Sequence, residues 1–208
     1  MYDIILLPQQ LRKITGKRCR KKDRLEVFMK TVPYTPEYRE DIRRICIETA
    51  SPDNKVNPEH HDFTLMMYCD PYIDHETALI LMDDENRPQG YILCAENYRE
   101  FEKHIDPYLQ KIRKECPNFA SRADISLYEH YQDEYPAHLH IDIMENYTGG
   151  GNGTRLMKTL IDHLKANHVR GLILGADKNN TRAVSFYKKM GFEAIEEDEG
   201  GVVLAMKL

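Results

Sequence analysis

The chain has 208 residues, 41% of them hydrophobic and 30% charged, with no tryptophan and a formal net charge of −5. A chain of that length buries roughly 70% of the surface its unfolded form exposes, so it needs no disulfide or metal staple. The longest apolar run near the start, Ile4–Leu7, is far shorter than a signal-peptide core or a membrane span, which argues against secretion and membrane insertion and makes the cytoplasm the expected location.

The five cysteines, Cys19, Cys46, Cys69, Cys94 and Cys116, are odd in number, widely spaced and never in a C-x-x-C pair. That pattern argues against a disulfide framework or zinc site and for a reducing compartment. The charge is unevenly spread: residues 1–28 carry eight Lys or Arg against three acids, leaving −10 on the remainder. An acidic body argues against a nucleic-acid partner and for a cationic small substrate. The cluster Lys17-Arg18-Cys19-Arg20-Lys21-Lys22 reads as a nucleic-acid arm or as a solvated face. Residues 1–27 are accordingly set apart as a basic extension, and Met29 stands as an alternative natural start. Residues 28–208, which lack repeats or a Gly/Ser linker, are expected to form a single domain.

Residues 28–33 predict a first strand. Thr35 and Pro36 then cap a helix through Thr49, with Ile42, Ile45 and Cys46 at helical spacing. Residues 51–59 predict a polar loop, and Asp62–Cys69 a short helix ending before Pro71. Thr77–Met82 and Gly90–Ala95, joined by a turn over 84–88, predict a β-hairpin. Residues 98–116 are helical in composition, with Pro107 expected to kink or split them. A tyrosine-rich stretch holding Tyr128, Tyr131 and Tyr135 is expected to stay helical until Pro136. The last third predicts a strand His138–Met144, a glycine loop, a helix 153–167, a strand Leu172–Ala176, a helix Thr181–Met190, and strands Glu193–Glu196 and Val202–Lys207.

The loop Thr148-Gly149-Gly150-Gly151-Asn152-Gly153-Thr154 opens a helix striped by Leu156, Met157, Leu160, Ile161 and Leu164. A helix N-terminus offers unpaired N–H groups and partial positive charge, and glycines let phosphate oxygens approach the backbone. The loop therefore reads as a phosphate or pyrophosphate site, or as a plain turn before a helix. No lysine follows it, so it is not a P-loop, and Thr154 occupies the third glycine position of a dinucleotide fingerprint.

Downstream, Asn180, Ala183, Phe186, Tyr187, Gly191 and Phe192 occupy the positions of an Asn-x-x-Ala-x-x-aromatic-Tyr…Gly-Phe motif. With the loop about thirty residues earlier, residues 137–192 resemble the GCN5-related N-acetyltransferase superfamily. Residues 28–97 resemble it only in the order of elements. Within that superfamily, Ala-His-Leu-His-Ile-Asp at 137–142 is also similar to acetyltransferase-like domains found with O-GlcNAc hydrolases. The resemblance implies an α/β, three-layer fold with a mostly antiparallel sheet flanked by helices and splayed where the cofactor enters. It implies acetyl-CoA as co-substrate, with no metal, and a small-molecule or lysine-bearing amine as acceptor, in a monomer or homodimer. By the same resemblance the loop residues 148–154, the backbone of Ile143, Met144 and Glu145, and Asn180, Phe186 and Tyr187 hold the cofactor, while Tyr187 protonates the leaving thiolate. Thr148 departs from the family's Arg or Gln, which shifts phosphate binding toward the backbone.

Alternation places His138, His140 and Asp142 on one strand face and Leu139, Ile141 and Ile143 on the other. The polar face lines a cleft or is solvated. His138 and His140 have metal-ligand spacing but no evident third ligand. An amine acceptor must lose a proton before attack, and His140, Asp142 and His138 are the candidate bases, with Glu145 a further one. His60, His61, the 98–116 helix and the three tyrosines are assigned to the acceptor side by elimination. The rival reading is a degenerate acetyltransferase fold acting as a binding or scaffold module.

Overall fold

The computed structural model describes residues 29–208. The basic cluster, Cys19 and the remainder of the 1–27 extension lie outside the described residues. Seven strands form one sheet: β1 (Lys30–Pro33), β2 (Thr77–Met82), β3 (Pro88–Ala95), β4 (Ala137–Ile143), β5 (Gly171–Asp177), β6 (Glu193–Glu197) and β7 (Gly201–Lys207), in the spatial order β1-β2-β3-β4-β5-β7-β6. Every neighbouring pair is antiparallel except β4 with β5, which is parallel.

Strand alternation divides the interior into two layers. On one face Ile80, Met82, Tyr91 and Leu93 meet α1 (Arg39–Thr49), α2 (Pro58–Tyr68), α3 (Asp70–His75) and α4 (Tyr98–Glu115). On the same face α5 (Ser126–Tyr131) covers Ile173, Val203 and Ala205. On the other face Leu81, Ile92, Leu139, Leu172 and Leu204 meet α6 (Asn152–Ala166) and α7 (Thr181–Met190). Burying one such Leu or Ile side chain contributes roughly 1.5–3 kcal/mol, so each layer is held by its own apolar set. The mixed three-layer architecture is the one expected from the sequence.

The feature that positions the site is the junction of β4 and β5. Only Ala137↔Leu172 and His138↔Ile173 are paired across it, whereas β3 follows β4 from His138 to Ile143 and β7 follows β5 along its whole length. Beyond His138 the two strands part. The Met144 N–H donates to the Gln89 carbonyl at 2.9 Å. In an antiparallel ladder that bond makes 144, 142 and 140 the residues that pair with β3. The backbone groups of Ile141 and Ile143 therefore turn toward the side from which β5 has departed.

Several boundaries differ from expectation. α2 begins within the stretch read as loop, because the Asn57 side chain accepts the Glu59 and His60 N–H groups and Pro58 sits at the first helical position. Pro71 ends one helix, as expected, and also sits in the opening turn of α3. Pro107 does not split α4. It lies on the exposed face, where the carbonyl it orphans at Lys103 reaches water, while Phe101, Ile105, Leu109 and Ile112 hold the opposite face in the core. The tyrosine-rich helix stops at Tyr131, well short of Pro136.

Candidate active site

The loop before α6 runs through three consecutive left-handed glycines, with φ of 86° at Gly149, 59° at Gly150 and 84° at Gly151. A Cβ added to any of them would meet nothing within 4 Å. The loop thus presents bare backbone to open space. Among the described residues, the N–H groups of Gly149, Gly150, Gly151, Gly153 and Thr154 have no backbone carbonyl partner. Asn152 is almost buried, and its carboxamide donates to the Tyr147 carbonyl at 2.9 Å, fastening the end of the loop. Gly153 is glycine for another reason: a Cβ there would lie 3.4 Å from the ring of Phe186. Phe186 therefore braces the first turn of α6 against α7. The Thr148 hydroxyl donates to the Glu145 carbonyl at 2.7 Å, at the exposed surface of the turn. Its proton is not available to a phosphate, and the burden falls on backbone N–H groups.

The polar face of β4 looks toward α2, α3, α4 and α5. His138 is fully buried, stacked on Tyr128 at 4.0 Å and edge-on to Phe101 at 4.6 Å. Neither ring nitrogen has a hydrogen-bond partner among the described residues. Burial, with His140 alongside, holds its pKa well below the usual histidine range. His140 meets the Tyr72 hydroxyl through Nε2 at 3.1 Å, and burial lowers its pKa to about 4. Asp142 accepts the Tyr91 hydroxyl at 2.6 Å. Burial pushes its pKa up to about 6, and the Tyr91 and Thr49 hydroxyls pull against that rise.

Tyr187 belongs to α7, on the far side of the sheet, where it packs against Phe186 and edge-on to Phe192. Its pKa is nevertheless raised by burial and by the fields of Asp142 and Tyr128. Asn180 caps α7, its side-chain oxygen accepting the Ala183 N–H at 3.0 Å. The carboxamide NH₂ remains for any further role.

Among the described residues no group of three His, Cys, Asp or Glu side chains is disposed to hold a metal ion, and no helix is long and apolar enough to cross a membrane. A family model, the acetyltransferase (GNAT) family, matches residues 40–192, well over half of the chain. The chain belongs to that family. Solved structures agree with its fold. The crystal structure of SsHAT is 26% identical, with a TM-score of 0.66, covering 86% of this acetyltransferase and 98% of that chain. An N-acetyltransferase from Staphylococcus aureus Mu50 is 13% identical at a TM-score of 0.57, covering 86% and 98%. A GCN5-related N-acetyltransferase from Kribbella flavida is 14% identical at a TM-score of 0.55, with the same coverage.

Within this acetyltransferase the loop and the end of β4 meet at Gly153, where Phe186 and Ile143 lie within 4 Å of an added Cβ, and Tyr187 packs on Phe186. Tyr128 and, from α4, Phe101 pack on His138 at the junction of β4 and β5, while Asn180 opens α7. His60 and His61 do not belong there. His60 is bonded to Asp53 at 2.6 Å and stacked on Phe119 at 4.4 Å, and His61 is exposed beside Asp62. Their place is the α2 end of the core, set by the Asn57 cap. Glu145 is exposed, in the short turn after β4. Tyr131 and Tyr135 cover β5 and β7 rather than the β4 face. Sequence reasoning missed Tyr72 and Tyr91, the direct partners of His140 and Asp142. Tyr91 stands opposite Asp142 across β3 and β4, a relation that only the strand register reveals.

Proposed function

We propose that the protein transfers an acetyl group from acetyl-CoA to a primary amine by direct attack in a ternary complex, the acceptor being a small molecule or a lysine side chain. The observation that carries this reading is the parting of β4 from β5 beyond His138, which leaves the Ile141 and Ile143 backbone unpaired beside a glycine loop whose glycine N–H groups have no backbone partner among the described residues. Burial keeps the Tyr187 phenol protonated at neutral pH and raises the Asp142 carboxylate to about 6, the states a general acid and a general base need.

The residues present fit a pyrophosphate-bearing co-substrate. The glycine cradle leaves open the space that side chains would fill, and its N–H groups are unspent. Acetyl-CoA supplies the acyl group already activated as a thioester. The N–H groups of Ile141 and Ile143, turned into the gap, are donors for an extended amide-bearing chain and for the carbonyl oxygen that gains charge during attack. Asp142 takes the proton of the attacking amine. An alkylammonium, with pKa near 10.4, must release that proton before its lone pair can act. Tyr187 gives its phenolic proton to the departing sulfur. His140, lowered to about 4, is neutral and weakly basic at pH 7, so its part is to bound the acceptor space without repelling a cation. The four described cysteines are buried, which favours direct attack over a covalent acyl-enzyme.

One observation favours the rival reading of a binding module: the Thr148 hydroxyl is engaged by the Glu145 carbonyl, which takes a side-chain donor from the phosphate site. Calorimetric titration with acetyl-CoA, with NAD and ATP as controls, separates the two. Micromolar binding of acetyl-CoA alone, followed by thiol release in an amine screen, is the expected result. No binding at millimolar concentration would leave the fold without its co-substrate and favour the module.

A further inference from the structure

We infer that Tyr91 is a positioning residue for the proposed reaction: its hydroxyl fixes the Asp142 carboxylate and sets the pH at which that carboxylate accepts a proton. The inference rests on the reading of Asp142 as the base.

The geometry leaves Tyr91 little else to do. Tyr91 and Asp142 are register partners on adjacent central strands, and their backbones form one of the mutually bonded pairs of the β3–β4 ladder. Both side chains consequently stand on the same face, directly opposite each other. The phenol is fully buried in the layer beneath α1 and donates to one carboxylate oxygen at 2.6 Å. A bond that short, to an ionised acceptor inside a low-dielectric layer, is of the strong charge-assisted kind. In the proposed reaction the other carboxylate oxygen receives the proton of the attacking nitrogen.

The surroundings make the phenol the dominant partner. The groups that act on this pair are the Thr49 hydroxyl at the end of α1, the Cys46 and Cys69 thiols, Tyr187 from the opposite layer, and His140, neutral and two residues along the same face of β4. Both thiols are buried, and no cation stands among these groups. The Tyr91 hydrogen bond therefore holds the carboxylate's charge against desolvation, since the Thr49 hydroxyl donates to the Ile45 carbonyl at 2.7 Å. Removing the phenolic O–H leaves Asp142 more easily protonated, so the acid limb of activity moves to higher pH.

The test uses the full chain and the dependence of kcat/KM on pH, with acetyl-CoA and a reactive amine found by the thiol-release screen. Tyr91→Phe should shift the acid limb upward by about one pH unit, the size expected of one lost hydrogen bond to a charged group. Site-specific replacement of Tyr91 by 3-fluorotyrosine, which has a more acidic phenol and the same packing, should shift the limb downward. Opposite shifts cannot come from loosened packing, and the fluorinated protein covers the case in which Tyr91→Phe folds poorly. An acid limb that stays in place in both variants would overturn the inference, even if activity falls uniformly. Asp142→Asn separates this failure from failure of the base reading. If that variant keeps its activity and its acid limb, Asp142 is not the base and the role of Tyr91 falls with it. If it loses both while the Tyr91 variants leave the limb unmoved, only the positioning role is overturned.

Discussion

Gly153 and Phe186 are in contact across two helices: a Cβ added to the glycine would lie 3.4 Å from two carbons of the ring. One methyl group sits at the edge of what the ring tolerates, and a branched side chain exceeds it. Gly153→Ala should be close to neutral. Gly153→Val should cost about 1–3 kcal/mol in urea unfolding, the usual penalty of overpacking. Pairing it with Phe186→Leu should return at least about 0.5 kcal/mol relative to the sum of the single variants. Strict additivity would mean that the ring is not what excludes a side chain at 153.

Tyr187 packs against Phe186 and Phe192 with its ring, so losing only its hydroxyl leaves that packing in place. Tyr187→Phe should lower kcat about 100-fold or more, the scale of a lost general acid, with the Kd for acetyl-CoA within about twofold of the parent protein. Unchanged turnover would remove Tyr187 from the proton path.

The left-handed glycines predict a residue-specific tolerance. At Gly151, with φ of 84° and open space beside it, backbone conformation and ligand space both matter. Gly151→Val should strain the loop by about 1–3 kcal/mol and crowd the phosphates, abolishing measurable acetyl-CoA binding. Gly151→Asn, which tolerates the left-handed region, should keep the fold's stability while still weakening the co-substrate. Calorimetry and urea unfolding on the two variants read these effects separately. Retained affinity in both would mean that the loop does not hold phosphate.

The two buried histidines govern acid stability. Both have pKa values below the usual 6.5, so as pH falls the unfolded chain takes up protons that the folded chain refuses, and stability declines from about pH 6.5 downward. Asp142 acts in the opposite sense. Its folded pKa of about 6 exceeds the usual 3.8, so between those values protonation favours the folded state. Two histidines against one carboxylate leave a net loss on acidification. His138→Phe should reduce the difference in unfolding free energy between pH 7 and pH 5 by about 1.4 kcal/mol per pH unit within the shared window. An unaltered slope would mean that His138 binds its proton while folded.

The last third of the chain was legible because its signals are local. A glycine run, an amphipathic stripe from Leu156 to Leu164 and the Asn180–Phe192 motif each lie within one turn or helix, and α7 runs from Thr181 to Met190 as expected. The alternation of His138, His140 and Asp142 likewise needed only the period of a strand. What the sequence did not disclose are relations between distant segments. Tyr91 reaches Asp142 through strand register, and Tyr72 reaches His140 from a short helix hidden behind Pro71. The bond from the Thr148 hydroxyl to the Glu145 carbonyl was also invisible, since it depends on the conformation of the 145–147 turn. His60 went astray for the complementary reason: its partners Asp53 and Phe119 bind it into another part of the core.

The parting of β4 from β5 also bears on how the molecule avoids sticking to itself. Unpaired backbone groups along a central strand amount to an open sheet edge, the surface onto which foreign strands add during aggregation. Here that edge is walled in. β5 converges on β4 at His138, so an intruding strand could pair only from Ile143 back to Leu139 before meeting the junction. An added strand would gain at most five residues of ladder there, roughly 16 Å. The wedge therefore keeps an edge available to a slender ligand while limiting the length over which another chain can pair.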